Sequence, residues 1–343
     1  MGKLSFVSDY MEGAHPEILK RLLETNMEKS AGYGFDDFSE SARDKIRKAC
    51  AAPDADVFFL VGGTQTNAVM IDSILRPYQG VIAATTGHIS GHEAGAIEHG
   101  GHKVLEIEQH DGKIKASDIK HVIMEYFNDE NHDHMVMPGM VYLSQPTEFG
   151  TLYSLNELKE ISEVCRDNHV PLYLDGARLA YALACPQNDV TLKDIASLCD
   201  AFYIGGTKCG AMFGEAVVIP RHDFIPHLFT IIKQHGALLA KGRIAGIQFD
   251  TLFTDNLYDN VGKVAIEAAD RIREALDKKG YKQAFDSPTN QIFIILSKKQ
   301  IDDLSSDIEM GFWQNIDKEH AIMRIATSWA TTKEDVDRLI ELL

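Results

Sequence analysis

The sequence predicts an α/β protein. A large domain with a mainly parallel sheet covered by helices precedes a smaller C-terminal α/β domain. Three observations carry this. From residue 56 onward, short apolar runs alternate with helical patterns, and continuously apolar strands suit a sheet buried on both faces. Several runs end in glycine or a polar residue, as strands that feed a turn do. Near residue 255 the alternation gives way to one long helical pattern and two further apolar runs. Residues 1–254 are therefore expected to form an N-terminal arm and the large domain, and residues 255–343 the small domain.

The elements follow in order. Residues 1–15 read as an irregular arm. "HPEILKRLLETNMEKS" puts Pro16 near a helix start and Ile18, Leu19, Leu22 and Leu23 on one face. "SESARDKIRKAC" starts a second helix. The expected strands are "DVFFLVGG", "GVIAAT", "KVLEIE", "GMVYLSQ", "PLYLDG", "AFYIGG" and "EAVVIP", with helices such as "TQTNAVMIDSIL" and "SLNELKEISEVCRDN" between them. In the small domain "NVGKVAIEAADRIREALDKKG" reads as a helix, "NQIFIILS" and "HAIMRIATSW" as strands, and the last helix begins near Thr332.

The chain of 343 residues has 34 Lys and Arg against 51 Asp and Glu, a net charge of −17. Such a surface repels phosphate backbones and anionic lipid, so neither nucleic acid nor membrane is an expected partner. Cys50, Cys165, Cys185, Cys199 and Cys209 are scattered and form no CxxC pair. Reduced thiols in a cytoplasmic protein are expected. The first residues contain no secretory apolar region, and no run of eighteen apolar residues occurs.

Three stretches carry chemistry. "FFLVGGTQTNAVM" places Gly63 and Thr64 between a strand and a helix, where free N–H groups and the helix dipole suit an anion. It is neither a P-loop nor a GxGxxG turn, and an ordinary strand–helix turn is the competing reading. "LYLDGARLAYAL" ends a strand on Asp175, which alone could cap a helix. "AFYIGGTKCGAMFGE" puts Lys208 just past a strand. A desolvated lysine has a depressed pKa and can form a Schiff base; a surface lysine is the alternative.

Together these groups meet the needs of pyridoxal 5'-phosphate. Its phosphate needs N–H donors, its ring nitrogen a carboxylate, and its aldehyde an amine. "TTGHISGHEAGAIEHGG" adds His88, whose ring can stack on the pyridine and act as a base. A zinc reading of His88, His92 and Glu93 lacks the HExxH order and an evident further ligand, so no metal is assigned.

The ordered set "VSDY", "GGTQTN", "TGHISGHEAGA", "SQPTEFGTLYSLNEL", "LYLDGARLAYAL", "IGGTKCG" and "MRIATSW" resembles the threonine aldolases. These belong to the aspartate-aminotransferase-like class of pyridoxal-phosphate enzymes, and the bacterial low-specificity L-threonine aldolase branch is the most similar. The resemblance runs over nearly the whole chain. It implies cleavage of L-threonine or L-allo-threonine to glycine and an aldehyde. Another pyridoxal-phosphate β-eliminating lyase or an aminotransferase is the alternative. It implies that Lys208 holds the cofactor aldehyde, Asp175 pairs with the ring nitrogen, Gly63 and Thr64 bind the phosphate, and His88 stacks on the ring near the β-hydroxyl. Ser8, Arg178 and Arg324 would hold the substrate carboxylate, with Arg178 also lining the cofactor site. It further implies a homo-oligomer, dimer or tetramer, with sites at the subunit interface. Tyr33 would reach a neighbouring site, and Lys233, Lys241 or Arg243 would add charge near a phosphate. One departure stands out. Many members carry a second active-site His in the segment matching "LSQPTEFG"; here Thr147 stands at or beside that place.

Overall fold

The computed structural model describes residues 2–343. Eleven strands are present among them: β1 Leu4–Phe6, β2 Asp56–Leu60, β3 Gln79–Ala84, β4 Val104–Ile107, β5 Met137–Ser144, β6 Leu172–Asp175, β7 Ala201–Gly205, β8 Glu215–Ile219, β9 Gln291–Ser297, β10 Ile308–Asn315 and β11 His320–Ala326. Seven make one sheet in the order β2-β8-β7-β6-β5-β3-β4. The pairs from β7 through β6, β5 and β3 to β4 are parallel, while β8 runs antiparallel to both β7 and β2. The reason is the link between β7 and β8. Residues 206–214 contain no helix, and a parallel connection needs a crossover, usually helical.

Alternation along the strands divides the large core in two. Val141, Leu143, Leu172, Leu174, Phe202 and Ile204 face one layer. Met140, Tyr142, Tyr173, Ala201 and Tyr203 face the other, which the helix Gly63–Ile74 covers with Val69, Met70 and Ile71. Because side chains alternate with period two, Asp175 shares the face of Tyr173. Three tyrosines on neighbouring strands thus form a row beside it, with ring centroids 6.1 Å and 6.4 Å apart.

The smaller sheet has the order β1-β10-β11-β9. Its core joins Leu4, Phe6, Ile292, Ile294, Ile308 and Ile325 with Ile272 and Leu276 of the helix Leu257–Lys278. The N-terminal arm is therefore not wholly irregular: Leu4–Phe6 pairs in parallel with Ile308–Met310, and burial of Leu4 and Phe6 stabilises that pairing. The long helix serves both cores, since Tyr258, Val261, Ala265 and Ile266 pack against the large domain. All five cysteines are buried and unpaired. Among the described residues no helix is long and apolar enough to cross a membrane.

Candidate active site

Strands β5, β6 and β7 end at Ser144, Asp175 and Gly205, and the chain turns there around a cleft of about 360 Å³. Ligands of open parallel sheets lie outside such carboxyl ends. Its lining includes Gly63, Thr64, His88, Asp175, Arg178 and Lys208. Those residues come from four separate stretches of sequence.

Asp175 sits at the bottom of the cleft. Tyr203 Oη donates to Oδ1 at 2.6 Å and the Ala177 N–H at 3.0 Å; Tyr142 Oη donates to Oδ2 at 2.7 Å and Asn67 Nδ2 at 3.1 Å. Burial alone would raise its pKa, but the hydrogen bonds from Tyr203, Tyr142 and Ala177, with the His88 charge, hold it below the ordinary value. It is thus a strongly organised anion. Close packing of the strand ends brings these donors in. A Cβ on Gly176 would lie 2.1 Å from the Tyr203 carbonyl oxygen, so only glycine fits after Asp175.

Lys208 reaches the same cleft from the turn after β7. Among the described residues its Nζ makes no hydrogen bond or ion pair, and it stands 5.9 Å from the centre of the Tyr10 ring. Burial, then the nearby Arg178 charge, pushes its pKa down; Asp9, Asp175 and Glu215 pull the other way. Glu215, also on the cleft wall, accepts from the Gly206 N–H at 2.9 Å, and burial pushes it up to about 7. A lysine in this setting holds more neutral amine at neutral pH than one in water.

The helix Gly63–Ile74 opens at the cleft with Gly62 as its cap, which supplies no side-chain oxygen to the first-turn N–H groups. Those donors suit an anion. His88 begins a short helix, His88–Gly91, and its Nδ1 lies 2.8 Å from Oε1 of buried Glu93. Asn67 Nδ2 donates to the same Glu93 oxygen at 2.7 Å and also to Asp175, linking the histidine to the central carboxylate. A carboxylate only accepts, so Nδ1 carries a hydrogen toward Glu93 and Nε2 is the ring nitrogen left for other partners.

A second group of charges adjoins the cleft. Arg178 binds Asp9 through two bonds, Nε to Oδ2 at 2.6 Å and Nη2 to Oδ1 at 3.0 Å, and Asn290 Nδ2 adds 2.9 Å to Oδ2. Burial raises the Asp9 carboxyl by itself, yet Arg178 and Lys208 bring it down to about 2. Arg324, on β11, donates to Gln291 Oε1 at 3.1 Å and to the Val7 carbonyl at 2.9 Å, while its buried Nε has no partner. Burial, then Arg178, lowers its pKa. A carboxylate bound near the two guanidinium groups would relieve their like charges.

The beta-eliminating lyase family model matches residues 5–311 of the chain. The chain belongs to the beta-eliminating lyase family. Among its relatives is the low specificity L-threonine aldolase of Pseudomonas aeruginosa, 29% identical over 98% of this chain and 95% of that protein. The relative from Saccharomyces cerevisiae, also a low specificity L-threonine aldolase, is 26% identical over 82% of this chain and 72% of its own length. The solved structure of Leishmania major threonine aldolase is 45% identical, covers 98% of both chains and superposes with a TM-score of 0.95. A Thermus thermophilus aspartate aminotransferase variant, 15% identical, shares the fold at a TM-score of 0.71, over 99% of this chain and 90% of that one.

The chain brings some expected site residues together and leaves others apart. Lys208, Asp175, His88, Gly63, Thr64 and Arg178 line one cleft. Ser8 and Arg324 are not among its lining residues, although Asp9 beside Ser8 holds Arg178 and Arg324 holds Val7. Tyr33 lies elsewhere, 42% exposed, with Lys233 Nζ 4.5 Å above its ring. Arg243 donates to the carbonyls of Glu28 and Thr25, so its fork joins two helices of its own chain. Lys241 is exposed. Thr147 lines the cleft, but its Oγ1 is paired with Thr151 Oγ1 at 2.7 Å.

Five residues that orient this site, Tyr142, Tyr203, Asn67, Asp9 and Glu148, carry no role in the sequence reading, and Glu93 enters it only as a metal ligand set aside, whereas in the structure it holds His88. A signal existed for the tyrosines. "VYLSQ", "LYLDG" and "FYIGG" each place Tyr two residues before a polar or small strand end, and a buried phenol needs a hydrogen-bond partner.

Proposed function

We propose that this family member cleaves β-hydroxy-α-amino acids, L-threonine and L-allo-threonine among them, to glycine and an aldehyde. Pyridoxal 5'-phosphate would be its cofactor. The observation that carries the reading is the pairing, in one cleft, of an unpartnered desolvated lysine with a carboxylate held by four donors. The names of the relatives agree with it.

The residues present fit the cofactor. The helix end at Gly63 and Thr64 offers uncapped N–H groups to a phosphate. Asp175 offers a negative charge to a ring nitrogen, Lys208 an amine to an aldehyde, and His88 and Ala177 line the space for a ring. When bound, the cofactor condenses with amines and accepts the electron pair released at Cα.

The chain's own residues do the rest. Arg178, through the nitrogen Asp9 leaves free, and Arg324 would hold the substrate carboxylate, with Ser8 beside them. Glu93 fixes the His88 ring so that Nε2 is the acceptor, and Nε2 would take the β-hydroxyl proton. Lys208 would return a proton at Cα. An anion at the bottom of the cleft, Asp175, steadies positive charge on a ring above it.

We also read the protein as a cytoplasmic homo-oligomer. Leu19, Leu23, Met27, Tyr33 and Phe35 are exposed, and apolar surface of this kind favours protein contact; Tyr33 would then serve a neighbouring site. Five buried, unpaired thiols suit a reducing compartment.

Incubation with L-threonine tests the reaction. Acetaldehyde and glycine are expected. A keto acid with ammonia would instead mark an eliminating enzyme, and a keto acid formed only with an added acceptor would mark an aminotransferase. Borohydride reduction should attach the cofactor to Lys208; attachment at another residue would remove Lys208 from its role.

A further inference from the structure

The threonine-cleavage reading leaves one buried carboxyl on the cleft wall without a task. Glu148 follows Thr147 in "SQPTEFG", and Thr147, at or beside the place of the second histidine of many relatives, turns its hydroxyl to Thr151. Glu148 lines the cleft beside it. Its Oε1 accepts from the His88 N–H at 2.9 Å and from Ser144 Oγ at 2.8 Å. Among the described residues Oε2 makes no hydrogen bond, and the side chain lines the cleft. One oxygen is thus fixed by two donors, and the other is left without a partner on a residue of the cleft wall.

Resting on that reading, we propose that Glu148 is a further catalytic residue, donating a hydrogen bond from Oε2 to the substrate's β-oxygen.

A donor needs a proton, and the surroundings supply the reason to keep one. Burial, the largest cause, raises the Glu148 pKa; the Asp175 charge adds to this, while Ser144 and His88 oppose it. Tyr142 and Tyr153 also face it without charge, since burial keeps both phenols protonated. Arg178 is the nearby cation, but two of its nitrogens are committed to Asp9. A neutral carboxyl can hydrogen-bond an oxygen that gains negative charge, where an ionised one would repel it.

The step balances with His88 as base. The β-hydroxyl proton moves to His88 Nε2. The freed O–H pair becomes the second bond of the departing aldehyde's carbonyl. The Cα–Cβ bond breaks, and its pair takes up a proton at Cα by way of Lys208 to complete glycine; the proton His88 took from the β-hydroxyl replaces the one Lys208 gives, so none is gained or lost. Glu148 keeps its proton throughout and is strongest as a partner while the β-oxygen is most negative. It also gives the site a means to distinguish β-hydroxy amino acids from those without the oxygen.

The test compares Glu148→Gln and Glu148→Ala, with cofactor occupancy checked by absorbance. Gln preserves each relation: its oxygen accepts from His88 and Ser144, and its amide donates into the cleft. We expect Glu148→Gln to cleave threonine within about tenfold of wild type. We expect Glu148→Ala to lose about 10²–10³-fold in kcat, the scale for one such donor. Wild-type kcat should fall as pH rises through the Glu148 titration, which burial moves upward from the ordinary carboxyl range, and Glu148→Gln should lack that fall. Exchange of the glycine α-proton with deuterated water needs no β-oxygen and should survive in both variants. A Gln variant as inactive as Ala would overturn the proposal, because a donor would not suffice. Loss of glycine exchange with full cofactor occupancy in the Gln variant would overturn it too, since Glu148 would then only hold the His88 turn. Wild-type protein that exchanges glycine protons but does not cleave threonine would overturn both this proposal and the reading beneath it.

Discussion

Replacing Asp175 by Asn changes one atom of the deepest carboxylate in the cleft, and its cost divides into two measurable parts. The first is structural. Of the four donors on Asp175, the Tyr203 and Tyr142 hydroxyls can rotate to accept, but the Ala177 N–H and the Asn67 amide group only donate as placed. The new amide nitrogen meets Ala177 at the Oδ1 position and Asn67 at the Oδ2 position. Turning Asn67 over would present its oxygen, yet would also withdraw its N–H from Glu93. Every arrangement leaves one buried donor or acceptor unmatched, a penalty of about 1–3 kcal/mol. The second part is catalytic. A carboxylate held below its ordinary pKa is replaced by a neutral group, so positive charge above it is no longer supported. Loss of one preorganised electrostatic partner is on the order of 10²–10³-fold in kcat. Acetaldehyde release at saturating threonine and cofactor measures the second part, and urea unfolding measures the first. Cofactor binding through Gly63 and Thr64 should persist. An unchanged kcat at full occupancy would refute the reasoning and leave Asp175 as a structural cap.

Lys208→Ala should abolish the visible absorption of the bound cofactor and nearly all turnover; an Ala variant that keeps both would take Lys208 out of the chemistry. His88→Phe keeps a flat ring and removes the base. It should retain cofactor and glycine binding but lose about 10²–10⁴-fold in cleavage, and near-wild-type turnover would mean that stacking is the main task of His88. Asp9→Asn breaks the buried pair with Arg178 and should destabilise the fold by about 3–5 kcal/mol, read from urea midpoints. The sign with pH follows from Asp9 lying at about 2, below the usual 3.8. Its contribution of roughly 2–3 kcal/mol is present above about pH 4 and is lost as pH falls toward 2. Wild-type unfolding between those limits should show that loss, and the Asp9→Asn variant should lack this share of it.

Much of the large domain was legible in the chain because its signal is local. The seven apolar runs from "DVFFLVGG" to "EAVVIP" correspond to β2 through β8, since strands buried on both faces must be apolar almost throughout. The terminal helix starts after Thr332, whose side chain caps it together with Asp335. The small sheet was only half legible. "IEMGFWQN" of β10 mixes exposed and buried positions, including an exposed Phe312, so it lacks a clear alternation. Strand β1 has three residues and acquires its partner some 300 positions away. The direction of β8 was not read, although the short helix-free link before it carried the reason.

The same division holds for the site. Lys208, Asp175, His88, Gly63 and Thr64 could be picked from the sequence because each is a chemically marked residue just beyond an apolar run, and the cleft gathers all five. What the sequence by itself determined was therefore the class of fold and the reactive groups. Tertiary structure alone decided how those groups are held. Asp175 takes donors from a helix, from two neighbouring strands and from its own turn. Asp9 crosses from the arm to Arg178, and Glu148 turns one oxygen to His88. These partners lie between 60 and 169 residues apart for the last two pairs, and no local pattern encodes a hydrogen bond at that separation. Burial makes such bonds obligatory, and only the packed chain shows which donor meets which acceptor.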